Sequence, residues 1–114
     1  MKTQRIFFIC SQNKLRSPTA EAIFSQHELL EVASAGLDKD AATTVTGELL
    51  EWADVIFVME KNHLSRLRNR FGKYLKDKRI ICLDIPDNYE YMDPVLIEIL
   101  QRRIPKLLNL PVDS

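Results

Sequence analysis

A cysteine and an arginine near the start of the chain have the spacing of a small anion-binding loop. Cys10 follows the apolar run of residues 6–9, and Arg16 comes directly before Ser17, where a helix can begin. Backbone N–H groups of such a loop point inward and, with the N-terminus of the helix, form a cup for a tetrahedral oxyanion. The helix dipole, the loop amides and Arg16 all stabilise a thiolate at the floor of this cup. The spacing therefore predicts that Cys10 is a nucleophile near pH 7.

The size and composition of the chain fit one ordinary globular domain that spans residues 1–114. Lysines and arginines balance the acidic residues, so we expect no nucleic-acid partner. No apolar run approaches the roughly 20 residues of a membrane span, and the N-terminus lacks the apolar core of a secretory leader. We therefore expect a cytoplasmic protein with no membrane partner. Nothing in the sequence specifies its oligomeric state.

Short apolar runs alternate with helical patterns, which is typical of a parallel sheet covered by helices on both faces. The predicted strands are residues 5–9, 31–34, 55–59 and 79–83, and the predicted helices are residues 18–30, 47–53, 61–71 and 94–105. Ser17 is expected to cap the first helix with Pro18 at its first position, and Pro105 to kink or end the last helix. Gly36 is expected to permit a turn that other residues resist. Together these elements predict a three-layer α/β fold with its ligand beyond the carboxyl ends of the strands.

The segment from Cys10 to Glu21 resembles the signature of the low-molecular-weight protein tyrosine phosphatases, C-x5-R-S-P-x-A-E with asparagine at the fourth position. Residues 34–36 and 58–60 also look like landmarks of that family. The resemblance implies the strand order 2-1-3-4 and a phosphate-monoester hydrolase, above all a phosphotyrosine protein phosphatase with a phosphocysteine intermediate. Its partner would be a phosphotyrosine protein or a small phosphorylated substrate.

The parts of the loop have distinct expected roles in this chemistry. Cys10 attacks phosphorus, and the planar fork of Arg16 holds two phosphoryl oxygens at once. Ser17 can donate its hydroxyl to the thiolate and help it leave in the second step, and the resemblance implies that Asn13 braces the loop. No metal or other cofactor is expected, because Arg16 and the loop amides do the work of a cation. The amides that bind phosphate belong to Ser11, Gln12, Asn13, Lys14, Leu15 and Arg16.

A general acid is expected in the loop after the fourth strand, on the same edge of the sheet as Cys10. The candidates are Asp84, Asp87 and Asp93. The resemblance favours Asp87, because family members carry an Asp-Pro-Tyr turn here and residues 87–89 match it with asparagine in place of proline. Asp93 before a proline is sufficiently explained as a helix cap. An acid that works near neutrality needs partial burial or a nearby phosphate charge.

The mouth of the predicted pocket differs from the family pattern. Gln12 stands where glycine is frequent, and Lys14 where an apolar residue usually lines the pocket. We therefore expect a substrate that carries negative charge besides its phosphoryl group. The resemblance implies that Tyr89 forms a wall for the substrate ring, and packing of Tyr89 onto the last helix is the alternative.

Two other functions stay open from the sequence. Related arsenate reductases share the loop and pass a disulfide among further cysteines, whereas Cys82 is the one further cysteine here. Its apolar neighbours indicate a small core residue, and no disulfide is expected. A module that binds phosphate without turnover would also keep the cup, but the combination of Cys10, Arg16 and an acid favours turnover.

Overall fold

The computed structural model describes residues 3–110, so both ends of the predicted domain, residues 1–2 and 111–114, lie outside the described residues. The strands are β1 (Gln4–Cys10), β2 (Leu30–Gly36), β3 (Val55–Val58) and β4 (Arg79–Cys82). The helices are α1 (Arg16–Phe24), α2 (Gly47–Trp52), α3 (Lys61–Phe71) and α4 (Pro94–Leu107), with a 3₁₀ turn at Gly72–Tyr74. The strands form a parallel sheet in the order β2-β1-β3-β4, which confirms the predicted order.

Side chains of β1 alternate between two hydrophobic clusters, one on each face of the sheet. Ile6 and Phe8 pack in the cluster that α1 and α4 cover, whereas Phe7 and Ile9 pack in the cluster that α2 and α3 cover. Residues 6–10 are all buried, as expected for a strand with both faces covered. The predicted three-layer α/β arrangement is therefore confirmed. None of the helices within residues 3–110 has the length and apolar character of a membrane span.

The start of α1 differs from the prediction. The helix begins at Arg16, so Ser17 is its second residue instead of its cap, and Pro18 is its third. Leu15 occupies the cap position without a side-chain hydrogen bond. The Ser17 hydroxyl is thereby free to face the sulfur of Cys10.

The end of α1 was also predicted wrongly, near Leu30 instead of Phe24. The His27 backbone N–H donates to the Phe24 carbonyl, and its ring Nδ1 accepts from the N–H of Leu29. These bonds turn the chain so that β2 can begin at Leu30, opposite Gln4 of β1. A helical pattern alone does not reveal such a turn.

The expectation about Gly36 was wrong as well, and of the two outcomes expected for Pro105 the helix end is not observed. Gly36 has no positive φ; instead, a Cβ there would lie 2.4 Å from the Ser11 carbonyl oxygen and 2.9 Å from the Asn13 nitrogen. Glycine is thus required for the close approach of β2 to the loop after β1. Pro105 does not end α4, which continues to Leu107. Like any proline inside a helix, it supplies no N–H for the carbonyl four residues earlier, and the helix nevertheless continues for two more residues.

Candidate active site

The loop between β1 and α1 is held open by hydrogen bonds from the chain that follows β2. The carbonyl oxygens of Cys10, Ser11 and Gln12 accept from the N–H groups of Leu37, Asp38 and Ala42, at 2.8–3.0 Å. In a planar trans peptide the N–H points opposite to the carbonyl. Since these three carbonyls point outward, the N–H groups of residues 11–13 point into the loop. Backbone geometry therefore builds the anion cup that the spacing predicted.

Cys10 lies at the floor of this cup. Its side chain is almost fully buried, and its Sγ accepts the N–H of Asn13 at 3.2 Å. Asn13 adopts a left-handed φ of 55°, which asparagine tolerates better than most residues. The Asn13 side-chain amide also donates to the hydroxyls of Ser17 and Ser34, at 2.9 Å each. These bonds tie the loop to both α1 and β2.

Arg16, the first residue of α1, is anchored through one of its terminal nitrogens. Nη1 donates to Glu60 Oε2 at 2.8 Å and to the carbonyl of Ile85 at 2.7 Å. Nε lies 3.8 Å from Asp87 Oδ1. The residue is only 3% exposed, so the orientation of its guanidinium is fixed by the surrounding chain. Arg16 lines the cavity above the loop, where its guanidinium can bind a phosphoryl group.

A cavity of about 380 Å³ opens above the sulfur and the guanidinium. Its lining includes seven of the residues that the sequence analysis selected, namely Cys10, Ser11, Gln12, Lys14, Leu15, Arg16 and Asp87. Asp38 also lines it and was not selected. This carboxylate is neutralised by Arg66, whose Nη2 donates to it at 2.7 Å. The site thus combines a thiol, a guanidinium, inward amides and the Asp87 carboxylate, which lies 3.8 Å from Arg16 Nε at the rim.

The three candidate acids lie in different surroundings. Asp87 lines the cavity, and its side chain is 65% exposed. Asp84 lines a separate depression beside Glu60, and Asp93 accepts from the N–H of Val95 as the cap of α4. The predicted capping role of Asp93 is therefore confirmed. Asp87 is the aspartate of the three that reaches the cavity, but the chain itself does not give it the partial burial that an acid needs.

Comparisons with known proteins agree with this geometry. A family model for the low molecular weight phosphotyrosine protein phosphatases matches residues 5–46, which include β1 except for its first residue, the loop, α1 and β2. A solved YwlE mutant from Bacillus subtilis is 25% identical, with a TM-score of 0.72 over 94% of this chain and 99% of that one. Residues 5–46 therefore match the low molecular weight phosphotyrosine protein phosphatase family, and the chain shares the fold of the solved YwlE mutant.

Further solved structures share the fold of this chain. The YwlE arginine phosphatase from Geobacillus stearothermophilus is 24% identical, with a TM-score of 0.74 over 93% of this chain and 94% of that one. The tyrosine phosphatase Wzb from Escherichia coli K30, in complex with phosphate, is 19% identical, with a TM-score of 0.74 over 94% and 97%. A search of curated proteins finds no match.

Two residues expected at the pocket have different positions. Lys14 lies at the cavity, as predicted, and is exposed. Tyr89 is not a lining residue; it is half-buried and packs against the hydrophobic cluster beneath α4. The observed position of Tyr89 therefore matches the alternative expectation, in which it packs onto the last helix.

Two functional candidates, Glu60 and His63, were missed by the sequence analysis. Glu60 Oε2 accepts from Arg16, and His63 Nε2 lies 2.9 Å from Ser11 Oγ. The available signal was a Glu-x-x-His spacing directly after β3, where a parallel sheet places residues at the same edge as Cys10. Burial is the largest cause that lowers the pKa of His63 to about 4, and the charge of Arg16 adds to it.

The two cysteines lie on different strands and pack on different faces of the sheet. Both are free thiols. Cys82 is aligned with Val58, which is aligned with Ile9, so two strand spacings separate β4 from β1. That distance is about 10 Å, well above the ~7 Å limit between Cα atoms joined by a disulfide. Cys10 belongs to the cluster under α1, and Cys82 packs against the opposite one. A disulfide between them is excluded in this fold.

Proposed function

We propose that the protein is a phosphate-monoester hydrolase, most of all a phosphotyrosine protein phosphatase, that forms a phosphocysteine at Cys10. One observation carries the proposal. The Cys10 sulfur lies among inward-pointing amides at the floor of a cavity that also contains Arg16 and Asp87. A thiolate, an arginine fork and an acid are the parts that this hydrolysis needs.

The reaction proceeds in two displacements at phosphorus. Cys10 Sγ forms a bond to phosphorus while the ester oxygen leaves, and Asp87 gives that oxygen its proton. Asp87, now a carboxylate, then takes a proton from water, whose oxygen displaces the sulfur. Arg16 and the loop amides bind the phosphoryl oxygens in both steps, and Ser17 stabilises the departing thiolate.

The depth of the nucleophile supports a phosphotyrosine substrate. Cys10 is only 3% exposed, so a phosphoryl group must be carried down to it on a long, rigid side chain. Lys14 at the rim supports additional negative charge on the substrate, such as an acidic phosphopeptide. The same lysine disfavours phosphoarginine, whose guanidinium group is positive, although arginine phosphatases occur among the solved structures of this fold.

A substrate panel tests the proposal. Phosphotyrosine and phosphoserine peptides, phosphoarginine, nucleotides and arsenate are assayed with the parent, Cys10→Ser and Asp87→Asn. We expect the parent to prefer phosphotyrosine, Cys10→Ser to be inactive and Asp87→Asn to be slow. A preference for phosphoarginine would mean that phosphoarginine, and not phosphotyrosine, is the substrate class. Thiol-dependent arsenate turnover lost in Cys82→Ser would favour a reductase, and phosphate binding without turnover would indicate a binding module.

We further propose that residues 1–114 act as one cytoplasmic domain. A free thiol nucleophile depends on a reducing compartment, which supports the location. Limited proteolysis followed by mass measurement tests the domain, because a single domain gives no stable internal fragment. Fractionation of cells tests the location directly.

A further inference from the structure

The cap of α3 is built by two side chains that bind each other reciprocally. The Glu60 carboxylate accepts from the backbone N–H of His63, and His63 Nδ1 accepts from the backbone N–H of Glu60 at 3.0 Å. This arrangement is a capping box, with histidine in the position that glutamate or glutamine usually occupies. A capping box by itself only stabilises the start of a helix.

Both side chains of this box also contact the phosphate loop, at its two ends. His63 Nε2 lies 2.9 Å from Ser11 Oγ, directly after Cys10. Glu60 Oε2 accepts from Arg16 Nη1 at 2.8 Å, at the last position of the loop. His63 is fully buried and Arg16 nearly so, so neither contact is made by a mobile surface side chain.

The hydrogen bonds define the protonation of His63. Nδ1 accepts from a backbone N–H, so it carries no proton, and the proton of the neutral ring is on Nε2. Nε2 therefore donates to Ser11 Oγ. Its pKa, lowered to about 4 by burial and then by Arg16, keeps the ring neutral at pH 7. Both ring nitrogens are engaged by these bonds, so His63 acts through its geometry.

We propose that Glu60 and His63 are positioning residues that hold Ser11 and Arg16, the two ends of the phosphate loop, in the geometry that binds the transition state. The inference rests on the proposed phosphatase function. Its physical basis is that α3 follows β3, which pairs with β1, so the box is attached rigidly to the strand that carries Cys10. Donors fixed in advance need no reorganisation during the reaction.

Two substitutions of His63 separate the capping role from the positioning role. His63→Asn places an oxygen near the former Nδ1 and keeps the capping bond, but it is too short to reach Ser11. His63→Gln places an amide nitrogen near the former Nε2 and keeps the bond to Ser11, but it gives up the capping bond. We expect kcat/KM for an aryl phosphate to be at least about tenfold lower in His63→Asn than in His63→Gln. The melting temperature should not follow that order.

Ser11→Ala provides the matched background. Without the hydroxyl, His63→Asn and His63→Gln should have the same kcat/KM, since the contact they differ in is gone. A second readout is the rate at which iodoacetate, an anion that must enter the cup, alkylates Cys10 in a Cys82→Ser background. That rate should be lower for His63→Asn than for His63→Gln. It stays measurable if the parent has no turnover, so failure of the proposed function is distinguished from failure of this inference.

Glu60→Gln tests the other end of the loop by the sign of its effect. If Glu60 only balanced the charge of Arg16, its removal would strengthen inhibition by inorganic phosphate. A positioning role predicts weaker inhibition and a lower kcat. Stronger phosphate binding in Glu60→Gln, or equal kcat/KM of the two His63 variants in the parent background, would overturn the proposal.

Discussion

Ser17 Oγ lies 2.9 Å from Cys10 Sγ at the buried base of the phosphate loop. The same oxygen accepts a hydrogen bond from the side-chain amide of Asn13 at 2.9 Å. Because Asn13 is the donor in that bond, the Ser17 hydroxyl keeps its own hydrogen for the sulfur. The arrangement aims a donor at the leaving group of the second chemical step.

Ser17→Ala should therefore slow hydrolysis of the phosphocysteine more than its formation. Loss of a hydrogen bond to a charged sulfur corresponds to about a 10- to 100-fold fall in kcat. Rapid-mixing kinetics with an aryl phosphate should show a larger initial burst of phenolate relative to the steady rate. Ser25→Ala, at an exposed serine after α1, is the control and should behave like the parent. A Ser17→Ala enzyme with no change in burst or steady rate would remove Ser17 from the mechanism.

Asp87→Asn should affect substrates according to their leaving groups. The leaving group of phosphotyrosine is the anion of a phenol with a high pKa, so it needs the proton of Asp87. The kcat for a phosphotyrosine peptide should therefore fall by about 10²- to 10⁴-fold. For a nitrophenyl phosphate, whose leaving group is the anion of a more acidic phenol, the rate of the first step should fall much less. Asp84→Asn is the matched control, because Asp84 lies outside the cavity. Equal losses in the two variants would assign the acid role elsewhere.

Lys14→Leu should reduce the preference for acidic substrates. Lys14 is exposed at the cavity, so solvent screening limits its effect on the kcat/KM ratio of acidic to neutral phosphotyrosine peptides to about two- to fivefold. The effect should shrink as ionic strength rises. Lys76→Leu, at an exposed lysine that does not line the cavity, should leave the ratio at the parent value. An unchanged ratio in Lys14→Leu would refute the charge preference.

His63 should make folding stability depend on pH in the acidic range. Its pKa falls from 6.5 to about 4 on folding, because burial, Arg16 and Arg66 outweigh the opposing effects of Glu60 and Asp38. The unfolded chain then binds more protons between these values, so stability is fully present above pH 6.5 and falls toward pH 4.

The expected loss from this residue is about 3 kcal/mol by pH 4. Urea unfolding of the parent and of His63→Gln, across pH 4–7, measures it. The variant starts less stable but should lose less stability on acidification. Parallel curves for the two proteins would contradict the depressed pKa.

Much of the fold follows from local patterns, as β1 and α3 illustrate. The apolar run of β1 favours a buried strand, and the periodicity of Lys61–Phe71 favours a helix. The bounds of both elements were predicted to within a residue or two. The end of α1 was not, because the turn at His27 depends on the position at which β2 must meet β1. Tertiary contacts there override the helical pattern.

In the candidate site, too, the parts close together in sequence were predicted and the parts brought in by the fold were not. The spacing of Cys10 and Arg16 is local, so the loop could be predicted from the sequence alone. Glu60 and His63 reach that loop across the sheet, from residues about 45 to 50 positions further along the chain. Gly36 illustrates the same limit, since its need for glycine comes from the approach of Ser11 and not from its own backbone angles.

The central claim is that the Cys10 sulfur carries the phosphoryl group during turnover. Rapid acid quenching of the parent with an aryl phosphate, followed by mass spectrometry of the peptides, tests it most directly. We predict one phosphoryl group on Cys10 in the quenched parent, and a loss of at least about 10³-fold in kcat for Cys10→Ala. Turnover that survives in Cys10→Ala, or a phosphoryl group trapped on another residue, would contradict the account.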